Sequence, residues 1–206
     1  MVSIMKIRIP LFLILFQISA IQVYAQSWPY VNHTELGLLW GRRDRDVNRV
    51  NFSFQHFSGV RPHPRHEVGF LVGVDSYPGF NLLPVAMGWR GIIGQGKRNF
   101  LYTSVDIGYG SAWLEKRRII NITEIWYQGG LMISPGVGYR IKARNRSHIY
   151  SLSLGFKGQK AAYFEGVSSQ ELVGKQDNPL LPHGFISVWE ERYVLKSLVI
   201  KMGLMF

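Results

Sequence analysis

The sequence contains no cysteine, few acidic residues and, beyond position 25, no long apolar run. The absence of cysteine excludes disulfides, a thiolate metal site, a cysteine nucleophile and an anchor on an acylated cysteine. The 206 residues include only 13 Asp and Glu against 24 Lys and Arg, so the chain is basic. A membrane-spanning helix needs about 20 mostly apolar residues. The longest uncharged segments after position 25, at 76–89 and 125–139, are interrupted by Gly, Pro and polar residues. We therefore expect no transmembrane helix beyond residue 25.

The first 25 residues have the layout of a secretory signal peptide. Lys6 and Arg8 precede an apolar segment at 9–18, and the small residue Ala25 stands where cleavage is expected. The apolar segment is short for a membrane span, although a retained anchor is the alternative. The sequence therefore predicts a signal peptide over residues 1–25 and a single exported domain over residues 26–206.

Alternation with a period of two dominates the rest of the chain. In a β-strand, successive side chains point to opposite faces. At the carboxyl terminus, Leu198, Ile200 and Met202 would share one face, opposite Val199 and Lys201. Eight segments show the pattern, at 34–40, 50–54, 68–74, 83–89, 101–109, 131–141, 150–156 and 198–206. They predict an all-β fold, an eight-stranded antiparallel transmembrane β-barrel in up-and-down order.

The connections between these segments alternate in length. Short turns at 58–65, 94–99 and 144–147 alternate with longer connections near 114–127 and 165–190. Outer-membrane barrels have short periplasmic turns and longer extracellular loops. The short connection at 76–79 is the exception. We expect both termini on the periplasmic side.

The two faces of the predicted strands favour a membrane barrel over a soluble one. A lipocalin-like barrel would have an apolar cavity and a charged exterior. Here one face is apolar with almost no charge, and the other mixes glycine, serine and ions. A soluble β-sandwich with one polar face is the alternative.

The polar face carries four acidic and four basic residues. They are Glu35, Glu67, Asp75 and Asp106, and Arg90, Arg140, Lys157 and Lys201. The interior of an eight-stranded barrel is just wide enough for side chains to fill, and buried charges need partners. We expect the basic side chains to meet Glu35, Glu67 and Asp106 in a packed lumen without a large pore.

Several motifs carry a resemblance to a known class of proteins. They are Asn-His-Thr-Glu-Leu-Gly at 32–37, Val-Gly-Val-Asp-Ser-Tyr at 72–77, Phe-Asn-Leu-Leu-Pro-Val at 80–85, Asp-Ile-Gly-Tyr-Gly at 106–110 and Ser-Pro-Gly-Val-Gly-Tyr-Arg at 134–140. They resemble small outer-membrane β-barrel proteins common in Bacteroidota, in the broad OmpA-like and OmpX-like class. The resemblance implies the bacterial outer membrane as location. Phe206 resembles the terminal aromatic read by the barrel-assembly machinery, which would then be a partner during biogenesis.

Basic residues cluster in the predicted outer connections. They are Arg42, Arg43, Arg45 and Arg49 around the first and Lys116, Arg117 and Arg118 in the third. Arginine binds phosphate through paired hydrogen bonds, so these clusters are candidate lipopolysaccharide contacts. A solvated loop partly paired with Asp44 and Asp46 is the alternative. Nucleic acid is not expected as a partner of an exported chain with this strand pattern.

Catalysis is the rival function, because small barrels can act on lipid A as deacylases or acyltransferases. Such an enzyme needs a nucleophile and a base near the outer leaflet. The outer-connection candidates are His183 and Ser187 with Glu190 or Glu191, which form no compact cluster in the sequence.

A non-catalytic structural or interaction role is the favoured function. Residues His56, His63 and His66 lack the spacing of a metal site, and we expect no cofactor. The third and fourth outer connections would supply apolar contacts to a protein partner through Trp126, Tyr127, Leu180 and Leu181.

Overall fold

The computed structural model describes residues 28–44, 47–94, 98–144, 148–168 and 185–206, except for the side chains of residues 43, 44 and 47. The strands are β1 (Tyr30–Asp44), β2 (Val47–His63), β3 (His66–Tyr77), β4 (Phe80–Ile93), β5 (Asn99–Ser111), β6 (Arg118–Ile120), β7 (Thr123–Lys142), β8 (Ile149–Ser168) and β9 (Phe185–Met205). No helix within these described ranges is long and apolar enough to cross a membrane.

Eight of these strands close into an antiparallel ring, which confirms the predicted all-β, eight-stranded barrel. Strands pair in chain order, β5 pairs with β7, and β9 returns to pair with β1. At the closure His33 lies opposite Met205, and Gly41 lies opposite Ser197. Closure pairs the backbone groups that an open sheet edge would leave exposed. The short β6 lies outside the ring and pairs with the start of β7.

The two ends of the ring differ. At the terminal end, the chain enters at Tyr30 and leaves at Met205, beside the connections from β2 to β3, β4 to β5 and β7 to β8. At the loop end lie the connections from β1 to β2, β3 to β4, β5 to β7 and β8 to β9. This alternation is a consequence of the up-and-down order.

Several predicted connections are shorter than expected, because the strands run further. The turn predicted at 58–65 is reduced to 64–65, since β2 continues to His63. The predicted loop at 114–127 contains β6 and the start of β7. The predicted loop at 165–190 is shorter than expected, because β8 continues to Ser168 and β9 begins at Phe185. The added segments of β7, β8 and β9 form a three-stranded extension at the loop end. Cross-strand aromatic pairs stabilise such segments, and Trp126 stacks on Phe164 there at 5.3 Å between ring centroids.

A β-bulge marks the base of this extension. Gly129 pairs with Ala161, whereas Met132 pairs with Gln159, so three steps along β7 match two along β8. A bulge inserts an extra residue and reverses the facing of the residues on its far side. Tyr127 therefore points to the inner side of the extension, opposite Tyr163.

The exterior of the ring is apolar. Large apolar side chains occupy the outward positions of every ring strand and are substantially exposed. Examples are Leu36, Leu38, Phe52, Phe54, Phe70, Val72, Val85, Met87, Ile107, Ile133, Val137, Leu152, Leu154, Ile200 and Met202. We call this surface the apolar belt.

The interior contains two apolar clusters as well as polar groups. One, towards the loop end, consists of Leu39, Tyr77, Phe80, Leu82, Ala161 and Val199. The other consists of Val31, Phe57, Leu71, Ala86, Met132 and Met205. Glycine makes room for the largest interior groups. A Cβ at Gly138 would lie 2.5 Å from the Cζ atom of Tyr102, whose ring is fully buried.

Candidate functional site

The eight charged residues assigned to the interior by strand parity all lie inside the ring and form four ion pairs. Arg90 Nη1 lies 2.6 Å from Asp106 Oδ1, and Lys201 Nζ lies 2.8 Å from Glu35 Oε2. Arg140 Nη1 lies 2.9 Å from Glu67 Oε2, and Lys157 pairs with Asp75. Each of these side chains is at least nine-tenths buried. We call this set the ion network.

Two of the four pairs cross the lumen. Glu67 and Asp75 both lie on β3, while Arg140 lies on β7 and Lys157 on β8. Neither β7 nor β8 is hydrogen-bonded to β3. These pairs therefore join opposite walls and occupy the cross-section through which a solute would pass.

Further contacts hold the network in place. Glu67 also accepts a 2.6 Å bond from Arg61, and Ser53 Oγ donates a 2.6 Å bond to Asp75. The Arg140 guanidinium lies 4.2 Å from the centroid of the Tyr102 ring. A cation over an aromatic face is stabilised by the ring quadrupole. Beside Lys201, the interior has a void of only about 10 Å³, the size of a single water site.

At the loop end, the barrel opens into a cavity that the sequence did not predict. It has a volume of about 240 Å³. Its walls carry the side chains of Arg49, Tyr77, Phe80, Tyr127, Tyr163 and Tyr193. We call this cavity the aromatic cup.

The rings of the cup form a continuous arc. Centroid distances are 5.6 Å from Tyr77 to Phe80, 5.0 Å from Phe80 to Tyr127 and 5.4 Å from Tyr127 to Tyr163. The first two pairs are stacked and the third is edge-to-face, which are the arrangements that aromatic rings prefer. Three separate segments, from β3–β4, β7 and β8, therefore hold the cup in shape.

Arg49 is not a loop cation, in contrast to its expected place among the bases of the first connection. It is only 5% exposed and its guanidinium lies 5.1 Å from the Tyr77 ring centroid. Gly41 makes room for it, because a Cβ there would lie 2.9 Å from Arg49 Nη2. The sequence did indicate this inward orientation, because Arg49 lies an even number of positions from the inward Ser53 and Gln55 on the same strand.

Tyrosine hydroxyls near the rim of the cup bind carboxylates. The Tyr163 hydroxyl donates to Glu165 at 3.2 Å. Burial and a hydrogen bond to Glu191 raise the pKa of Tyr193 to about 12. The phenol of Tyr193 therefore stays protonated at neutral pH and remains a donor.

The basic residues expected to contact lipopolysaccharide have different surroundings. Arg42 and Lys116 are exposed, as is Arg118 on β6. Arg117 is already engaged, with Nη1 2.9 Å from Glu124 and its guanidinium 5.3 Å from the Trp126 ring. The side chains of Arg43 and Arg45 lie outside the described residues.

Three further basic residues form a group that the sequence reasoning missed. Lys160, Arg192 and Lys196 are exposed and occupy outward positions on β8 and β9. They lie at the loop-end edge of the apolar belt, beyond Phe156 and Leu198, and Lys160 is paired with the exposed Val194. Arg192 pairs with Glu190 at 2.5 Å.

The candidate catalytic residues are only partly described. His183 lies outside the described residues, as do Leu180 and Leu181. Ser187 and Glu191 share one face of β9, whereas Glu190 occupies the opposite face. The described positions therefore place just one of the two candidate acids on the side of Ser187.

A serine–histidine contact occurs elsewhere, inside the lumen. His33 Nε2 lies 2.7 Å from Ser151 Oγ and 3.8 Å from Glu35 Oε1. In a catalytic triad the acid binds the other ring nitrogen, Nδ1. Here both partners face Nε2, Nδ1 has no partner within the described part of the chain, and all three side chains are buried. The contact lacks triad geometry.

The three histidines weighed as a metal site do not converge. His63 and His66 face each other across β2 and β3 with ring centroids 5.3 Å apart. His56 instead hydrogen-bonds to Thr34 through Nδ1 at 2.9 Å. Over the described ranges, no group of three or more histidine or acidic residues is arranged to hold a metal ion.

An exposed apolar surface lies around β6. Trp113 is 84% exposed and Ile119 is 75% exposed, and Leu114 and Ile120 are also more than half exposed. These residues stand outside the ring, in the connection from β5 to β7. Exposed apolar side chains that cluster on a surface are typical of interaction sites.

Known proteins offer little comparison. No protein-family model matches the chain, and no curated protein matches it. Among solved structures, the crystal structure of Pseudomonas aeruginosa OccK2 (OpdF) in complex with glucuronate aligns with 8% sequence identity, covering 88% of this chain and 98% of that chain. The TM-score is 0.17, too low to carry an argument about fold or function.

Proposed function

We propose that this chain is a small barrel of the bacterial outer membrane, exported through a cleaved signal peptide, with a non-catalytic structural or interaction role and no open pore. The observation that carries the proposal is the distribution of side chains about the ring. Charged groups are paired inside, and the apolar belt covers the outside. Water would favour the reverse distribution, whereas a lipid bilayer favours this one.

Aromatic residues at both edges of the belt support the membrane assignment. Trp40 and Tyr109 point outward towards the loop end, and Trp89, Tyr139 and Tyr150 do so towards the terminal end. Membrane barrels carry such aromatic girdles at both interfaces. On this proposal the loop end is extracellular and the terminal end is periplasmic, and the exposed surface around β6 is available to a protein partner.

Planar-bilayer recording tests the absence of a pore. We expect the refolded barrel to give no steady conductance, because the cross-lumen pairs of Glu67 and Asp75 fill its section. Addition of the same detergent without protein is the control. A large, stable single-channel current that requires the protein would contradict the proposal and indicate a porin.

We also propose lipopolysaccharide as the lipid partner, through Lys160 and Lys196. Support comes from their outward position just beyond the belt, where the phosphates of the outer leaflet would lie. Cationic side chains form charge-assisted hydrogen bonds with phosphate. Unlike Arg192, which pairs with Glu190, neither lysine has an ion pair within the described residues.

The double substitution Lys160→Gln/Lys196→Gln should weaken lipopolysaccharide binding several-fold, measured by co-purification at low and high salt. The matched control is Arg65→Gln/Lys142→Gln, which removes two exposed charges at the opposite end. If both double variants retain equal amounts of lipopolysaccharide, the site is not at the loop end. The salt dependence should shrink in the first variant only, because exposed ionic contacts are screened by salt.

A further inference from the structure

The aromatic cup is a closed-ended site rather than the mouth of a channel. Its lower wall includes Tyr77 and Phe80, which pack with Leu39, Leu82 and Val199 across the lumen. Below that apolar layer lies the ion network. A molecule entering from the loop end would therefore stop in the cup, and the cup can hold a ligand without conducting it.

Two polar groups on the cup wall lack complementary partners among the described residues. The first is the charge of Arg49, which is buried yet makes no ion pair in the described part of the chain. Its Nε and Nη2 atoms donate to the carbonyls of Arg42 and Lys196 and to Ser197 Oγ. These neutral acceptors satisfy hydrogen bonds but do not neutralise the charge. Buried cations are normally paired with an anion.

The second group is the hydroxyl of Tyr77. Tyr77 is only 4% exposed and lines the cup, and its hydroxyl has no hydrogen-bond partner within the ranges that the structure describes. Burying a hydroxyl without a hydrogen-bond partner is unfavourable, because the group loses its contacts with water and gains none in return. Because Arg49 lies over the same ring, one bound anion could interact with both groups.

The rest of the cup wall determines what kind of ligand body fits beside the anionic group. The faces of Phe80 and Tyr127 and the side chain of Leu195 are apolar, and aromatic walls favour stacked or edge-on contact with a second ring. The volume of about 240 Å³ is below the roughly 300–1,000 Å³ of pockets for drug-sized molecules. The fit is therefore to a small ligand.

We propose that the aromatic cup binds a small organic carboxylate with a ring-shaped apolar body, its carboxylate at Arg49 and Tyr77 and its ring against Phe80 and Tyr127. The inference goes beyond the structural or interaction role proposed above, and it holds whether or not that role is correct. An organic cation is disfavoured because the positive charge of Arg49 would repel it, although the tyrosine rings by themselves would bind a cation.

Calorimetric titration of the folded barrel in non-ionic detergent tests the site, with benzoate as the probe. Benzyl alcohol and benzylamine are the neutral and cationic analogues of similar size. We expect benzoate to bind more tightly than either. Tyr77→Phe should weaken benzoate at least about tenfold, as loss of a hydrogen bond to a charged group does. Arg49→Gln should abolish the preference for benzoate over benzyl alcohol.

The matched control is Tyr139→Phe, which removes a hydroxyl from an outward-facing tyrosine at the other end of the barrel. It should bind benzoate like the unaltered protein. Heat-modifiable migration on gels shows that each variant is folded before titration. Three results would each overturn the proposal: no benzoate binding up to about 10 mM, equal or tighter binding of benzylamine, or unchanged affinity in the folded Tyr77→Phe variant.

Discussion

Glu67→Ala is expected to destabilise the folded barrel by about 3–5 kcal/mol, the cost of leaving a buried charge without its partner. Glu67 is fully buried and accepts bonds from both Arg140 and Arg61. Arg61 can turn towards solvent, since it is 30% exposed, but Arg140 is fully buried. The free energy of unfolding by urea, measured on the barrel refolded in detergent or lipid vesicles, provides the test.

A surface pair serves as the matched control for this substitution. Arg117 and Glu124 are joined at 2.9 Å, but Arg117 is 62% exposed. Exposed pairs contribute about 0–1 kcal/mol, so Glu124→Ala should change stability little. The double variant Glu67→Met/Arg140→Met should recover much of the loss, because an apolar pair leaves no buried charge. A loss below about 1 kcal/mol for Glu67→Ala would show that water reaches Arg140 and that the lumen is not dry.

Leu154→Arg is expected to destabilise the barrel in lipid vesicles by about 2–4 kcal/mol, the cost of a cation on the lipid face near the bilayer midplane. Leu154 points outward in the middle of the belt, paired with Val137 on one side and Ile200 on the other. In a soluble barrel the same change would replace an exposed apolar side chain with a charged one. Its effect would then be within about 0.5 kcal/mol.

The control for this second substitution is Ile119→Arg. Ile119 is also aliphatic and exposed, but it lies on β6, outside the ring. Its replacement should have little effect in vesicles. Equal effects of the two substitutions would refute a membrane-embedded belt, whereas a cost confined to Leu154 would support it.

The alternation of apolar and polar residues was enough to predict the fold class, because the facing of a strand residue is a local property. Because successive side chains of a strand point to opposite faces, Leu198 and Ile200 face outward whereas Val199 and Lys201 face inward. Boundaries were less predictable. The extension formed by the ends of β7, β8 and β9 mixes aromatic and charged residues on both faces, so the alternation of apolar and polar residues is lost there. Cross-strand aromatic contacts, one stacked and one edge-to-face, support the strand pairing instead.

The aromatic cup shows why site residues were missed. Arg49 was grouped with its neighbours in sequence, although its parity points it inward. Tyr127 could not be placed by parity, because the bulge after Gly129 changes its facing. Tyr77, Phe80, Tyr163 and Tyr193 come from distant parts of the chain and meet only when the ring closes.

The all-β class, the number of ring strands and the side to which most residues face were readable from the amino-acid order alone, because they depend on the two-residue repeat of an extended chain. The amino-acid order alone did not reveal which base pairs with each acid across the lumen, nor the cup at the loop end. Both depend on ring closure and on the stagger between strands. Asp75 and Lys157 are 82 positions apart in the sequence. They meet only because the closed ring places their strands on opposite walls of the lumen, which no local sequence pattern specifies.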